Sequence, residues 1–136
     1  MKKTFAKLAK KTLSILPPTM PAKIYNAVIK VPALKQMANS LIKSAIPDCL
    51  ETDEWKLLLD KDDVAMSGYL ALGSYEPETI RIFKESLKEG MTVVDIGTNI
   101  GYYTIIAGKK VGPKGKVFGY EPNLGSFNLL QQNIQI

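Results

Sequence analysis

The stretch TVVDIGTNIGYYT, residues 92–104, decides how the chain is read. Val93 and Val94 are β-branched and form a short apolar run that Asp95 ends; Gly97 and Gly101 then bracket a tight loop before Tyr102, Tyr103, Thr104, Ile105, Ile106 and Ala107. The pattern predicts a buried strand turning sharply into a helix. Glycines suit such a turn because they accept positive φ and let a ligand lie against bare backbone. The helix that follows points N–H groups without intrahelical partners at the same place.

A second strand is predicted at Lys116, Val117, Phe118, Gly119 and Tyr120, running into Glu121 and the turn residues Pro122 and Asn123. Strand, glycine loop, helix, strand and terminal acid make one βαβ unit, with the acid 20 residues beyond Gly101. An acid at that position can accept hydrogen bonds from both ribose hydroxyls, so the unit is expected to hold a nucleoside. Asp95 indicates which one. A dinucleotide site sets a G-x-G-x-x-G loop against a pyrophosphate, whereas the loop here is D-x-G-x-N-x-G. A carboxylate at the strand tip repels a diphosphate and attracts an ammonium or sulfonium group. That favours S-adenosylmethionine, which carries both cations and no phosphate, over NAD or FAD.

At these residues the chain resembles the class I S-adenosylmethionine-dependent methyltransferases, and more closely the FkbM family. The resemblance rests on Gly73-Ser74-Tyr75-Glu76, on Val94 to Thr104, on Gly115-Lys116-Val117 and on Glu121-Pro122-Asn123, and spans residues 60–136. Asn99 stands where many class I enzymes have glycine, a variation associated with FkbM-like sequences. The resemblance implies a Rossmann-like α/β fold and an S-adenosylmethionine site made by Glu76, Asp95, Gly97, Thr98, Asn99, Gly101 and Glu121. Gly97 and Gly101 would leave room for the cofactor, Asp95 would hold its methionine end and Glu121 its ribose. Thr98 and Asn99 offer donors. Glu76 either faces the methionine amino group or caps the helix that Pro77 opens. The implied reaction is methyl transfer to oxygen of a sugar or small natural product; no catalytic residue is assigned.

With 136 residues and 46% apolar content, one domain with a real core is expected. The length is short for a seven-stranded methyltransferase sheet, so the chain is read as the cofactor-binding N-terminal part of a longer protein, its fold an incomplete Rossmann-like unit of βαβα type. Three segments follow: a basic helical arm at 1–47, a lead-in at 48–90, and the truncated cofactor domain at 91–136. An incomplete sheet has an open apolar edge, so self-association and no turnover are expected of this chain alone.

Charge is divided unevenly. Residues 1–47 hold nine lysines and no acid, while the remainder has nine basic and thirteen acidic residues. The arm contains no arginine, which argues against nucleic-acid recognition, since lysine makes poor bidentate contacts. Cys49 is the only cysteine and there is no histidine, which excludes an intramolecular disulfide, a Ser-His-Asp triad and the usual histidine-bearing zinc sites within this stretch. A cytoplasmic location is expected. Asp60, Asp62 and Asp63 lack the glycine and distal glutamate of a calcium loop and read as a solvated turn.

Residues 1–16 interleave lysines with Phe5, Leu8, Leu13 and Leu16, too interrupted for a secretory signal or a membrane span. A helix on anionic lipid, giving peripheral membrane contact, a solvated helix docked by its apolar face and a frayed terminus all fit. Pro17, Pro18 and Pro21 end it, and helices are expected at 22–29 and 32–46, the second with Leu34, Met37, Leu41 and Ala45 as a core-facing stripe. Trp55 to Leu59 reads as a strand, Val64 to Met66 as a second strand or helix start, and Gly68 to Leu72 as a short helix. Pro77 opens a helix that buries Ile80, Phe83 and Leu87 and stops at Gly90. Gly108 to Gly115 leaves the helix after the glycine loop. A last helix turns Phe127, Leu130 and Ile134 inward and Gln131, Gln132, Asn133 and Gln135 to water. Two other readings stay open: a non-catalytic membrane-surface or interaction module, suggested by the lysine-rich arm, and a nicotinamide-dependent oxidoreductase, disfavoured by Asp95 and the glycine spacing.

Overall fold

The computed structural model describes residues 31–136. The helices expected at 1–16 and 22–29 lie outside the described residues. By its internal contacts the chain divides into two units, residues 1–47 with 61–72 and residues 48–60 with 73–136.

In the first unit, α1 (Pro32–Ala45) begins with proline at its first turn, where a missing N–H costs nothing. Helix α2 (Val64–Leu72) is capped by Asp63, whose Oδ1 accepts from the Met66 N–H at 3.0 Å. A helix therefore replaces the strand considered for Val64 to Met66. The two helices meet closely at Gly68, where a Cβ would lie 3.1 Å from Ile42 Cγ2. Two members of the stripe expected to face the core do not: Met37 and Leu41 are 64% and 63% exposed, while Ala45 is half-buried. Ile42 and Ile46, one position further round the helix, turn inward instead.

The second unit opens with an antiparallel hairpin, β1 (Cys49–Glu51) and β2 (Lys56–Leu58). Thr52 shapes its turn, the hydroxyl accepting from the Glu54 and Trp55 N–H groups at 3.3 and 3.1 Å. The strand around Trp55 thus pairs backwards in the chain, with Cys49 to Glu51, a segment too short to show a period in sequence. Helix α3 (Pro77–Ser86) follows, with Ile80, Phe83 and Leu87 half-buried and no residue of the helix fully buried. It stops before Gly90, which at φ +82° turns the chain into the next strand and donates its N–H to the Val111 carbonyl at 2.8 Å.

Strands β3 (Thr92–Ile96) and β4 (Lys116–Tyr120) pair in parallel, joined by α4 (Tyr102–Val111). The helix continues through Gly108, three residues beyond where its exit was expected to start. Ile106, Ala107 and Val111 bury its inner side. Helix α5 (Leu124–Asn133) closes the unit, its N-cap Asn123 accepting from the Ser126 N–H at 3.0 Å. Leu130 is buried as expected, but Ile134 is 59% exposed and Asn133, expected in water, is 3% exposed. The amide has partners that outweigh helix amphipathicity. Its Oδ1 accepts from the Leu58 N–H at 2.7 Å, and its Nδ2 donates to the carbonyls of Leu58 and Ile100 at 3.1 and 2.8 Å.

The architecture is mixed α/β, with five helices and two small sheets among the described residues. Among the described residues, the strand expected to be buried is covered on one side only. Val94 and Ile96 pair across the register with Phe118 and Tyr120, and all four present a bare apolar face. No described helix is long and apolar enough to cross a membrane.

Candidate functional site

The site is built where β3 and β4 end. Their parallel register sets Asp95 opposite Gly119 and Ile96 opposite Tyr120, so both chains leave the sheet on the same side. The Tyr120 carbonyl then collects the loop, accepting from the N–H groups of Gly97 and Thr98 at 2.8 and 3.2 Å. This bends the chain back over the strand tips.

The two glycines do different work. Gly97 has φ +79°, and a Cβ there would have no heavy atom within 4 Å. Its left-handed backbone borders open space, the condition for a ligand against bare main chain. Gly101, at φ +94°, is enclosed: a Cβ would come 2.6 Å from Leu130 Cδ1. Its lack of a side chain serves the packing of α5 as well as the turn. As N-cap of α4, Gly101 accepts the first helical bond from the Ile105 N–H at 2.9 Å.

Asn99 occupies the left-handed region at φ +49°, which asparagine tolerates better than most residues. Its N–H donates to Glu121 Oε2 at 2.8 Å, and the Asn123 N–H donates to Oε1 at 2.8 Å. Glu121 therefore ties the glycine loop to the tip of β4 with one oxygen and shapes its own turn with the other. Each carboxylate oxygen has a further lone pair, so the group can still accept from a ligand. Thr98 is buried, and its hydroxyl has no partner among the described residues. Its contribution to the site is main chain and shape.

Asp95 points to the helical side of the sheet. Its Oδ2 accepts from the Thr104 hydroxyl at 2.6 Å, a length expected of a charge-assisted bond. Glu76 approaches α4 from another direction. Its backbone is left-handed at φ +42°, and its Oε2 accepts from the Tyr103 hydroxyl at 2.7 Å. Its side chain makes no capping bond to α3. Burial and then the neighbouring Glu76 carboxylate push the Tyr103 phenol well above its ordinary range, so it remains a donor. Tyr102 and Tyr103 pack edge-to-face with Trp55, Tyr75 and Phe83 at centroid distances of 5.0–5.7 Å.

Asp95, Gly97, Thr98, Asn99, Gly101 and Glu121 thus converge at one loop, and Glu76 reaches the first turn of the same helix through Tyr103. Three participants have no signal in sequence. Thr104 and Tyr103 read as ordinary helix residues, and Asn133, whose amide holds the Ile100 carbonyl of the loop, reads as solvated. No group of described side chains has the make-up of a metal site. A cleft of about 820 Å³ lies between α4, α5 and the hairpin, lined by Val117, Phe127 and Leu130 and bordered by Thr104, Gly119 and Asn133 of the site. Neither the protein families nor the curated proteins compared with the chain gave a match.

Proposed function

We propose that the second unit is the S-adenosylmethionine-binding part of an FkbM-like methyltransferase with a Rossmann-like core, transferring a methyl group to oxygen of a sugar or small natural product. The observation that carries this is a coincidence at one bend: a carboxylate one residue before the end of β3, a left-handed glycine bordering open space two residues later, and a second carboxylate just past the tip of the parallel neighbour. Acids at both strand tips suit a ligand with cationic groups and ribose hydroxyls and oppose one with a pyrophosphate.

The residues present fit the group. Gly97 leaves bare backbone beside open space, and Glu121 retains acceptor capacity after its two backbone bonds. Asp95 would hold the methionine end, Glu121 the ribose, and the Gly97–Asn99 backbone would lie along the ligand; Glu76, which accepts from the Tyr103 hydroxyl, would meet a cationic group near the start of α4. When bound, S-adenosylmethionine supplies a methyl group already activated by positive sulfur, so the protein's task is orientation. The chain's own residues hold, charge-match and align.

Isothermal titration with S-adenosylhomocysteine tests the proposal. Saturable binding is expected, and it should be lost in the Asp95→Ala, Glu121→Ala double variant if that variant remains folded. No binding by the wild type, or equal binding by the folded variant, overturns it.

A further inference from the structure

Within the proposed site, Asp95 accepts a hydrogen bond from a side chain of the following helix. Thr104 is the third residue of α4. A threonine inside a helix ordinarily returns its hydroxyl to the carbonyl three or four residues back. Those carbonyls are of Gly101 and Ile100, which accept from the Ile105 N–H at 2.9 Å and the Asn133 amide at 2.8 Å. The Thr104 hydroxyl goes instead to Asp95 Oδ2 at 2.6 Å. Room for this contact comes from the neighbouring strand. Gly119 stands opposite Asp95 in the register, and a Cβ there would lie 2.9 Å from Thr98 Cγ2 and 3.7 Å from Thr104 Oγ1. A larger residue at 119 would push into the space these two threonines fill.

We propose that Thr104 is a positioning residue for Asp95, locking one carboxylate oxygen so that the negative charge is preset for the cation of the ligand; this role rests on the S-adenosylmethionine reading above. An acid left to rotate would have to be ordered on binding, and that ordering costs affinity. A hydrogen bond to an ionised group is among the stronger ones, and its loss is expected to weaken binding roughly ten-fold.

Titration of S-adenosylmethionine into four forms tests this: wild type, Thr104→Val, Thr104→Ser and Asp95→Asn, with the Thr104→Val, Asp95→Asn double variant completing a cycle. Urea midpoints establish that each form is folded. Valine keeps the shape and removes the donor, so affinity should fall about ten-fold; serine keeps the donor and should restore binding to near the wild-type value. With Asp95 already neutral, the valine substitution should change little further, a non-additivity that a purely structural threonine would not give. Full affinity in Thr104→Val, no rescue by serine, or an equal loss in both backgrounds overturns the positioning role while leaving the cofactor reading intact. Absence of binding by the wild type overturns both.

Discussion

Asn133 joins three parts of the second unit, and replacing it should be unusually costly for a polar residue near the end of a helix. Its amide accepts from the Leu58 N–H at 2.7 Å and donates to the Leu58 and Ile100 carbonyls at 3.1 and 2.8 Å, with the residue 3% exposed. In Asn133→Ala these three bonds go, and the backbone groups they served lose their partners. At about 1 kcal/mol net for each bond, and somewhat more wherever water does not reach the stranded group, the loss is about 3–4 kcal/mol. With a urea m-value of roughly 1.5 kcal/mol/M, the unfolding midpoint should fall by about 2–2.7 M. Leucine should not rescue it, because filling the volume leaves the same carbonyls and N–H unpaired. Aspartate should be no better than alanine, since it sets a second oxygen against two carbonyls. Trp55, the only tryptophan and packed edge-on against Tyr102 at 5.7 Å, provides the fluorescence reporter. Exposed Gln131→Ala is the control and should change stability by no more than about 0.5 kcal/mol. A fall of less than about 1 kcal/mol in Asn133→Ala, or stabilisation by leucine, would refute the clamp.

The remaining expectations concern the loop and the sheet. Gly97→Ala should cost about 1 kcal/mol of stability from left-handed strain alone while abolishing S-adenosylhomocysteine binding, whereas Gly101→Ala adds a collision with Leu130 and should cost about 2–3 kcal/mol, both read from urea midpoints and titration. Thr98→Val removes a buried hydroxyl that has no partner among the described residues and should raise stability by about 1 kcal/mol; a loss of that size in a urea melt would mean the hydroxyl is satisfied in solution. The bare face of Val94, Ile96, Phe118 and Tyr120 should drive concentration-dependent association in sedimentation velocity, and Ile96→Lys should reduce it; an unchanged profile would remove this face as the cause.

The βαβ unit was legible because every level of the sequence agreed there: β-branched residues at 93 and 94, glycines where positive φ was needed, and an acid following the second strand. The elements that went astray were those where short-range pattern was weak or tertiary partners prevailed. A three-residue strand such as Cys49–Glu51 has too little length for alternation to register. On α1, the stripe through Met37 and Leu41 had good helical spacing, yet close approach at Gly68 selected Ile42. The end of α5 failed for a different reason, since an asparagine buried by backbone partners from distant residues looks no different in sequence from one in water. At the site the pattern located the loop acids and glycines but not what holds them. Thr104, Tyr103 and Asn133 act through contacts spanning 9, 27 and 33 residues, fixed by the packing of α4, α3 and α5 and not by any local motif.

The most direct test of a cation-selecting bend is an amide NMR titration of ¹⁵N-labelled protein, following Gly97, Thr98 and Asn99. S-adenosylmethionine should shift these three resonances to saturation, and NAD at the same concentration should leave them in place. Shifts with NAD, or with neither ligand, would contradict the selection of a sulfonium nucleoside by Asp95 and Glu121.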